Sequence, residues 1–325
     1  MKNNILVGRR IYSRCGVALW IVLLVQALFG GTFPVVVIAD EPEEGTVEYY
    51  EKLANQGDAD AAYSLARAYL DGQVTGKDPK KALEWMRKAA EKGNHDAEYD
   101  LGRLFRLGEG LQQSDTEAVK WYRKAAEAGN AAASNSLGWM YQNGNGVQQS
   151  DTEAVKWYRK AADAGSSQGQ NNLGWMYVNG KGIQQNYEEG FKWYKKAAEA
   201  GNSDAQDNLG LLYKDGKGVK QDYVEAVKWF RKSAAQGNSC GQFDLGYMFG
   251  SGQGVIQDYK LSNKYYLLSA EQGDIYAQRN LGRHYMYGQG VKRDLLEARK
   301  WLEKAAAQGN KDAKEDLKTL EEMKP

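Results

Sequence analysis

Few side chains in this sequence have the types and spacings that chemistry uses. His95 and His284 are the only histidines, and Cys15 and Cys240 the only cysteines. A zinc site or a His-based triad therefore has almost nothing to work with. His95 reads as part of a turn and His284 as part of a helix, and each is expected to be a surface polar residue. Cys240 is expected as a small filler, although a lone thiol outside the cytoplasm could pair between chains. Runs such as Gly108-Glu109-Gly110 and Gly144-Asn145-Gly146 resemble phosphate-cradling loops only in composition. They lack the preceding strand and the Lys-Ser/Thr that such loops need, so they read as turns. Acids are plentiful, but no pair stands apart as a catalytic dyad would. With 43 Lys+Arg against 42 Asp+Glu, and Lys alternating with Glu around Lys120 to Lys124, no basic stripe tracks a phosphate backbone. No cofactor, no metal and no nucleic-acid partner is expected.

The elements that could position a site form a repeat. Leu65, Leu101, Leu137, Leu173, Leu209, Leu245, Leu281 and Leu317 recur every 36 residues without an insertion. Gly follows the leucine from Gly102 to Gly282, an aromatic lies four beyond it from Tyr69 to Tyr285, and Trp85 opens a third register that ends at Trp301. Within the second unit, Ala97, Leu101, Gly102 and Phe105 share one helical face. Gly108 and Gly110 then break the chain, and Ser114 to Glu117 spells a capping box. A second helix follows with Ala118, Trp121, Tyr122, Ala125 and Ala126 as its apolar stripe, closed by Gly129. The small residues are expected to let backbones approach while Trp fills the space between neighbouring pairs. Such a pair cannot bury its apolar face alone, so stacking is obligatory.

The pattern Leu-Gly-x-x-Tyr-x-x-Gly-x-Gly-Val, then Ala-x-x-Trp-Tyr-x-Lys-Ala-Ala-x-x-Gly-Asn, resembles the Sel-one-like repeat, a close relative of the tetratricopeptide repeat. The resemblance spans about residues 46 to 325. It implies an all-α chain, a right-handed α/α solenoid of seven 36-residue helix-turn-helix repeats with terminal capping helices. Residues 40–57 would be an acidic linker and N-terminal cap, 58–310 the repeats and 311–325 the C-terminal cap. Departures are Val74 for a loop glycine, Tyr265 and Leu268 for Trp and Lys, and Gly169 and Gly241 for Ala. Positions five and two before the leucine, and two and five after it, form a second helical stripe. By resemblance to tetratricopeptide-like folds, that stripe should line a concave groove. Along the chain it holds Tyr63, Arg67, Tyr99, Arg103 and Arg106, then Asn135, Trp139, Gln142, Asn171, Trp175 and Val178, then Asp207, Lys214, Phe243, Tyr247, Arg279, Arg283 and Met286. Trp139 and Trp175 could instead be packing residues between adjacent first helices.

The resemblance implies a non-enzymatic adaptor that holds a peptide, a protein segment or an envelope component such as a glycan. Some cysteine-rich relatives have been described as penicillin-binding β-lactamases, so a β-lactamase-like or peptidoglycan-fragment-binding activity is the alternative. The paired cysteines of those relatives are missing here, and no Ser-x-x-Lys motif occurs. Nitrocefin hydrolysis is therefore expected to be absent. At the N-terminus, Lys2, Arg9, Arg10 and Arg14 precede an apolar run, and Val37-Ile38-Ala39 suits signal peptidase. Residues 1–39 are read as an export signal cleaved after Ala39, with Val25-Gln26-Ala27 as a second candidate site. The protein would then be periplasmic or secreted. The alternative is an inner-membrane anchor over residues 17–39, the only expected contact with a membrane.

Overall fold

The computed structural model describes residues 45–72 and 76–323. The leader, the linker up to residue 44 and Val74 lie outside the described residues. Sixteen helices follow one another, with no strand among the described residues. A short α1 (Val47–Asn55) precedes seven pairs of 13-residue helices. The pairs are α2 (Ala59–Asp71) with α3 (Pro79–Glu91), and α4 (His95–Leu107) with α5 (Asp115–Glu127). Next come α6 (Ala131–Asn143) with α7 (Asp151–Asp163), and α8 (Ser167–Asn179) with α9 (Tyr187–Glu199). Then α10 (Ser203–Asp215) pairs with α11 (Tyr223–Ala235), and α12 (Ser239–Ser251) with α13 (Tyr259–Glu271). Finally α14 (Ile275–Tyr287) pairs with α15 (Leu295–Ala307), and α16 (Lys311–Glu322) ends the chain.

Each helix packs on its sequence neighbours, and α6 with α8, α10 with α12 and α14 with α16 also touch. These are first helices of successive units, so the first helices lie on the crowded inner side of the stack. The glycine after each leucine permits the tight join within a pair. A Cβ on Gly102, Gly138, Gly174 or Gly246 would stand 2.7–2.8 Å from the ring of Tyr122, Tyr158, Tyr194 or Tyr266, and one on Gly210 2.6 Å from Phe230. The side chain that fills the join is thus the residue after the tryptophan. Tyr122, Tyr158 and Phe230 are at most 1% exposed, whereas Trp121, Trp157, Trp193 and Trp229 are only half-buried. Trp takes its expected place between neighbouring pairs, since Trp85 and Trp301 are buried and Trp121, Trp157, Trp193 and Trp229 pack against core clusters that span two units. Lysine ammoniums cover the Trp rings from outside, as Lys196 does over Trp193 at 4.1 Å.

The Gly-x-Gly turns serve the stack as well. A Cβ on Gly146, Gly182 or Gly218 would collide with backbone at the start of the preceding unit's second helix. Ser114 caps α5 by accepting from the Glu117 N–H at 3.3 Å, as an N-cap should. The return half of the expected capping box is absent. Glu117 turns outward to Lys120 at 2.5 Å, and the Ser114 N–H donates to the Phe105 carbonyl. Cap residues also link units, since the Asn94, Asn130 and Asn238 amides donate to Asp60, Asp96 and Asp204 at 2.7–3.0 Å.

A first-helix face with an aromatic centre

The second stripe of the first helices divides into two registers. Two residues after the leucine, most side chains stay open: Arg67, Arg103, Trp139, Trp175 and Tyr247 are exposed and Arg283 half-buried, while Leu211 packs on a core cluster. Trp139 and Trp175 retain 38% and 37% of their surface, so they are not interior packing residues. Two residues before the leucine, side chains lean onto the next unit and are tied there. Tyr63 donates to Asp100 at 2.9 Å, Asn172 donates to Asn135 at 2.8 Å, and Asn208 to Asn171 at 3.0 Å. Arg279 bonds both Asp312 and Asp316 at 2.7 Å. Tyr99 packs on Tyr122, and Phe243 between Tyr266 and Tyr276.

Several expected face residues are therefore unavailable. Met286 is fully buried under α15, and Asn171 and Asp207 are only 7% and 5% exposed. Met286 belongs to the last core cluster with Ala298, Leu302 and Ala305. Val178 is half-buried and fits over Gly190, where a Cβ would meet it at 2.5 Å. Gln142 accepts from the buried Tyr158 hydroxyl at 2.7 Å.

What remains open is graded along the stack. At the N-terminal end Arg67 and Arg103 both reach the buried carboxylate of Asp100 at 3.4 Å. At the centre the Arg106 guanidinium lies 5.5 Å from the Trp139 ring, a cation–π contact. Two open cavities flank the tryptophans. One of about 270 Å³ involves Arg106, Asn135, Ser136 and Asn172, and the other of about 230 Å³ lies between Gln142, Asn171 and Trp175. Further on, Lys214 sits 3.4 Å from Asp244 and 5.6 Å from the Tyr247 ring.

Two features on this side escaped the sequence reading. At the register where other interfaces pair Asn with Asn, Asp207 meets Asp244. One oxygen of Asp207 is buried with no partner. Burial, and next the Asp244 charge, hold the Asp207 carboxyl well above the usual range, against the pull of Lys214. Comparing Asp207 with Asn135 and Asn171 would have exposed the pair. His284 is the other. It is 9% exposed, not a surface residue, and its Nδ1 lies 2.7 Å from Asn263 Oδ1. Burial, helped by Arg283, pushes its pKa down to about 4.

The remaining reactive types are quiet. His95 is the first residue of α4, not part of a turn, and pairs with the buried Glu98 at 2.9 Å. Cys240 is exposed on α12 and fills nothing. Partial burial, with Asp207 and other acids nearby, pushes its thiol up to about 11, opposite to the shift that activates a nucleophile. No group of three His, Cys, Asp or Glu among the described residues could hold a metal ion, and no helix there is long and apolar enough to cross a membrane.

Comparison with known proteins agrees with this geometry. The Sel1 repeat model matches residues 38–58, 59–94, 95–130, 131–166, 167–202, 203–238, 241–274 and 275–310. The chain is similar to the crystal structure of c5321, a protective antigen of uropathogenic Escherichia coli strains displaying an SLR fold, at 41% identity and a TM-score of 0.73. That match covers 82% of this chain but 57% of the antigen, so the chain spans little more than half of that relative. It is also similar to a Sel1 repeat protein from Oxalobacter formigenes, at 31% identity and a TM-score of 0.69, over 84% of this chain and 79% of the other. A search of curated proteins returns no significant match. With seven complete helix pairs and the N-terminal cap all in the family's register, the chain belongs to the Sel1 repeat family.

Proposed function

We propose that this protein is an exported, non-enzymatic scaffold that holds an extended segment of a partner protein along its first-helix face. The fold is a repeat scaffold suited to protein–protein interaction; the face and the kind of partner are the further step. One observation carries it: Trp139 and Trp175 keep more than a third of their surface open on adjacent units while every leucine beside them is buried. Large aromatics with a neighbouring Arg are the usual anchors of protein interfaces. The half-open amides of Asn135, Gln142 and Asn172 can pair with the N–H and C=O of a bound backbone. The stack itself offers the length that an extended chain requires. Export rests on the basic and apolar leader and its Ala39 site.

The test is selection of a displayed random-peptide library on the purified protein. Peptides should be enriched by the wild type and lost from a Trp139→Ala/Trp175→Ala variant. Equal enrichment by both proteins would remove the face from consideration.

A further inference from the structure

The repeat supplies its own control, because every position can be compared with six equivalents. Four departures from the pattern converge where α12, α13 and α14 meet. Position 284 holds His where Leu104, Met140, Met176, Leu212 and Met248 are core residues. Position 263 holds Asn where Val119, Val155 and Val227 are buried. Gly250 stands where other units carry Leu70, Arg106, Gln142, Val178, Lys214 and Met286, and Ser262 stands where most carry Ala. A buried polar pair lowers stability unless it is fully hydrogen-bonded, and here the bonds are made in a chain. Asn263 Nδ2 donates to the Gln289 carbonyl at 2.6 Å, and Ser262 Oγ donates to the Gly246 carbonyl at 2.7 Å. Since the Asn263 amide donates elsewhere, its oxygen must accept from His284, which places the proton on Nδ1. Nε2 is then left as a neutral acceptor.

Gly250 and His284, with Gln289, border a cavity of about 280 Å³ with Tyr247, Tyr259, Tyr266, Asn280 and Arg283 also on its walls. The rings of Tyr259 and Tyr266 stand edge-on to the imidazole at 5.5 and 5.4 Å, which fixes its plane. The volume is below that of pockets for drug-sized ligands and suits one side chain. Its charge is nearly balanced, since Arg283 is the only ion on the wall and lies 3.9 Å from Asp316. A cation would meet the Arg283 charge, while Asp316, the acid beside that arginine, is off the cavity wall and already engaged by Arg279 at 2.7 Å. An anion would find one half-committed guanidinium and no second charge. An apolar group would leave His284 Nε2 unpaired, whereas the Asn280 amide already bonds the Tyr266 hydroxyl. An uncharged group that both donates and accepts fits each wall.

We infer that this cavity is a specificity pocket for a carboxamide side chain, Asn or Gln, of the bound segment. Its N–H would donate to His284 Nε2 and its C=O would accept from Arg283. The inference rests on the proposed function, because Tyr247, Gly250 and Arg283 occupy the same stripe as Trp139 and Trp175.

The same library tests it, read position by position. Wild-type protein should enrich peptides with Asn or Gln at one fixed place. Asn263→Val/His284→Met restores the repeat's apolar pair and should melt no lower than wild type. It should bind an enriched peptide roughly tenfold more weakly, the loss expected for one hydrogen bond whose donor is left unpaired, and show no preference at that place. Gly250→Gln/Ser262→Ala copies the Gln142 and Ala154 pair, fills the cavity with its own carboxamide and should act alike. Retained preference in both variants, or none in the wild type, overturns the pocket. Peptides that depend on Trp139 and Trp175 but show neither preference nor loss would leave the face reading intact and refute the pocket alone. Failure to enrich any peptide would defeat both.

Discussion

At the scale of single residues, the least comfortable groups in the fold are Asp207 and His284, and their titrations oppose each other. Asp207 has a raised folded pKa. The stability it contributes is present below the unfolded carboxylate value and is lost as pH rises through the folded one. Asp207→Asn should therefore stabilise the protein at neutral pH, by about 1–3 kcal/mol, because an uncharged amide can donate to Asp244 as Asn172 does to Asn135. Thermal melting at pH 7 checks this, and a lower melting temperature would contradict it. His284 behaves in reverse. Its pKa falls from 6.5 unfolded to about 4 folded, so its contribution is present above pH 6.5 and is lost as pH falls towards 4. The window corresponds to about 3 kcal/mol. Denaturant midpoints of wild type and His284→Met should diverge across that interval and run parallel above it. Parallel curves throughout would mean that the imidazole is not held neutral by its surroundings.

Helices and turns were the most legible level. The 36-residue recurrence located the helix pairs, the turn glycines and the N-caps of the second helices, because these follow from local backbone chemistry, but not the first-helix caps such as Asn94. What spacing left open was which of two adjacent aromatics on the second helix fills the join within a pair. Trp193 and Tyr194 are neighbours in sequence, and both fall on the apolar stripe that spacing defines. The glycine on the facing helix decides, since the space above Gly174 is filled by the Tyr194 ring. Likewise, a four-position stripe could be read from spacing, but not which of its members lean onto the next unit. Asn171 is lost to the face for that reason, and Met286 because it packs under the second helix of its own unit. Tyr194→Ala should cost about 3–5 kcal/mol, as deletion of a buried aromatic does. Trp193→Ala should cost less, since its ring is half-open and shared with Lys196. Urea denaturation of the two variants decides, and a larger loss at Trp193 would reverse the assignment.

For the whole molecule, the first and second helices divide the work. Burial of the leucine, glycine and aromatic registers makes each unit depend on its neighbours, so the core must repeat faithfully. The open positions two after the leucine carry no such constraint and run from Arg67 and Arg103 through Trp139 and Trp175 to Tyr247 and Arg283. Fold and binding should then separate cleanly on the same helix pairs. The most direct measurement compares two aromatic double variants for melting temperature and for affinity towards one library-selected peptide. Trp139→Ala/Trp175→Ala should melt close to wild type and bind at least a hundredfold more weakly, an effect of about 3 kcal/mol for two anchor residues. Tyr158→Ala/Tyr194→Ala, from the buried joins of the same units, should melt far lower. A tryptophan variant that melts as low as the tyrosine variant, or one that binds the peptide as wild type does, would contradict the account.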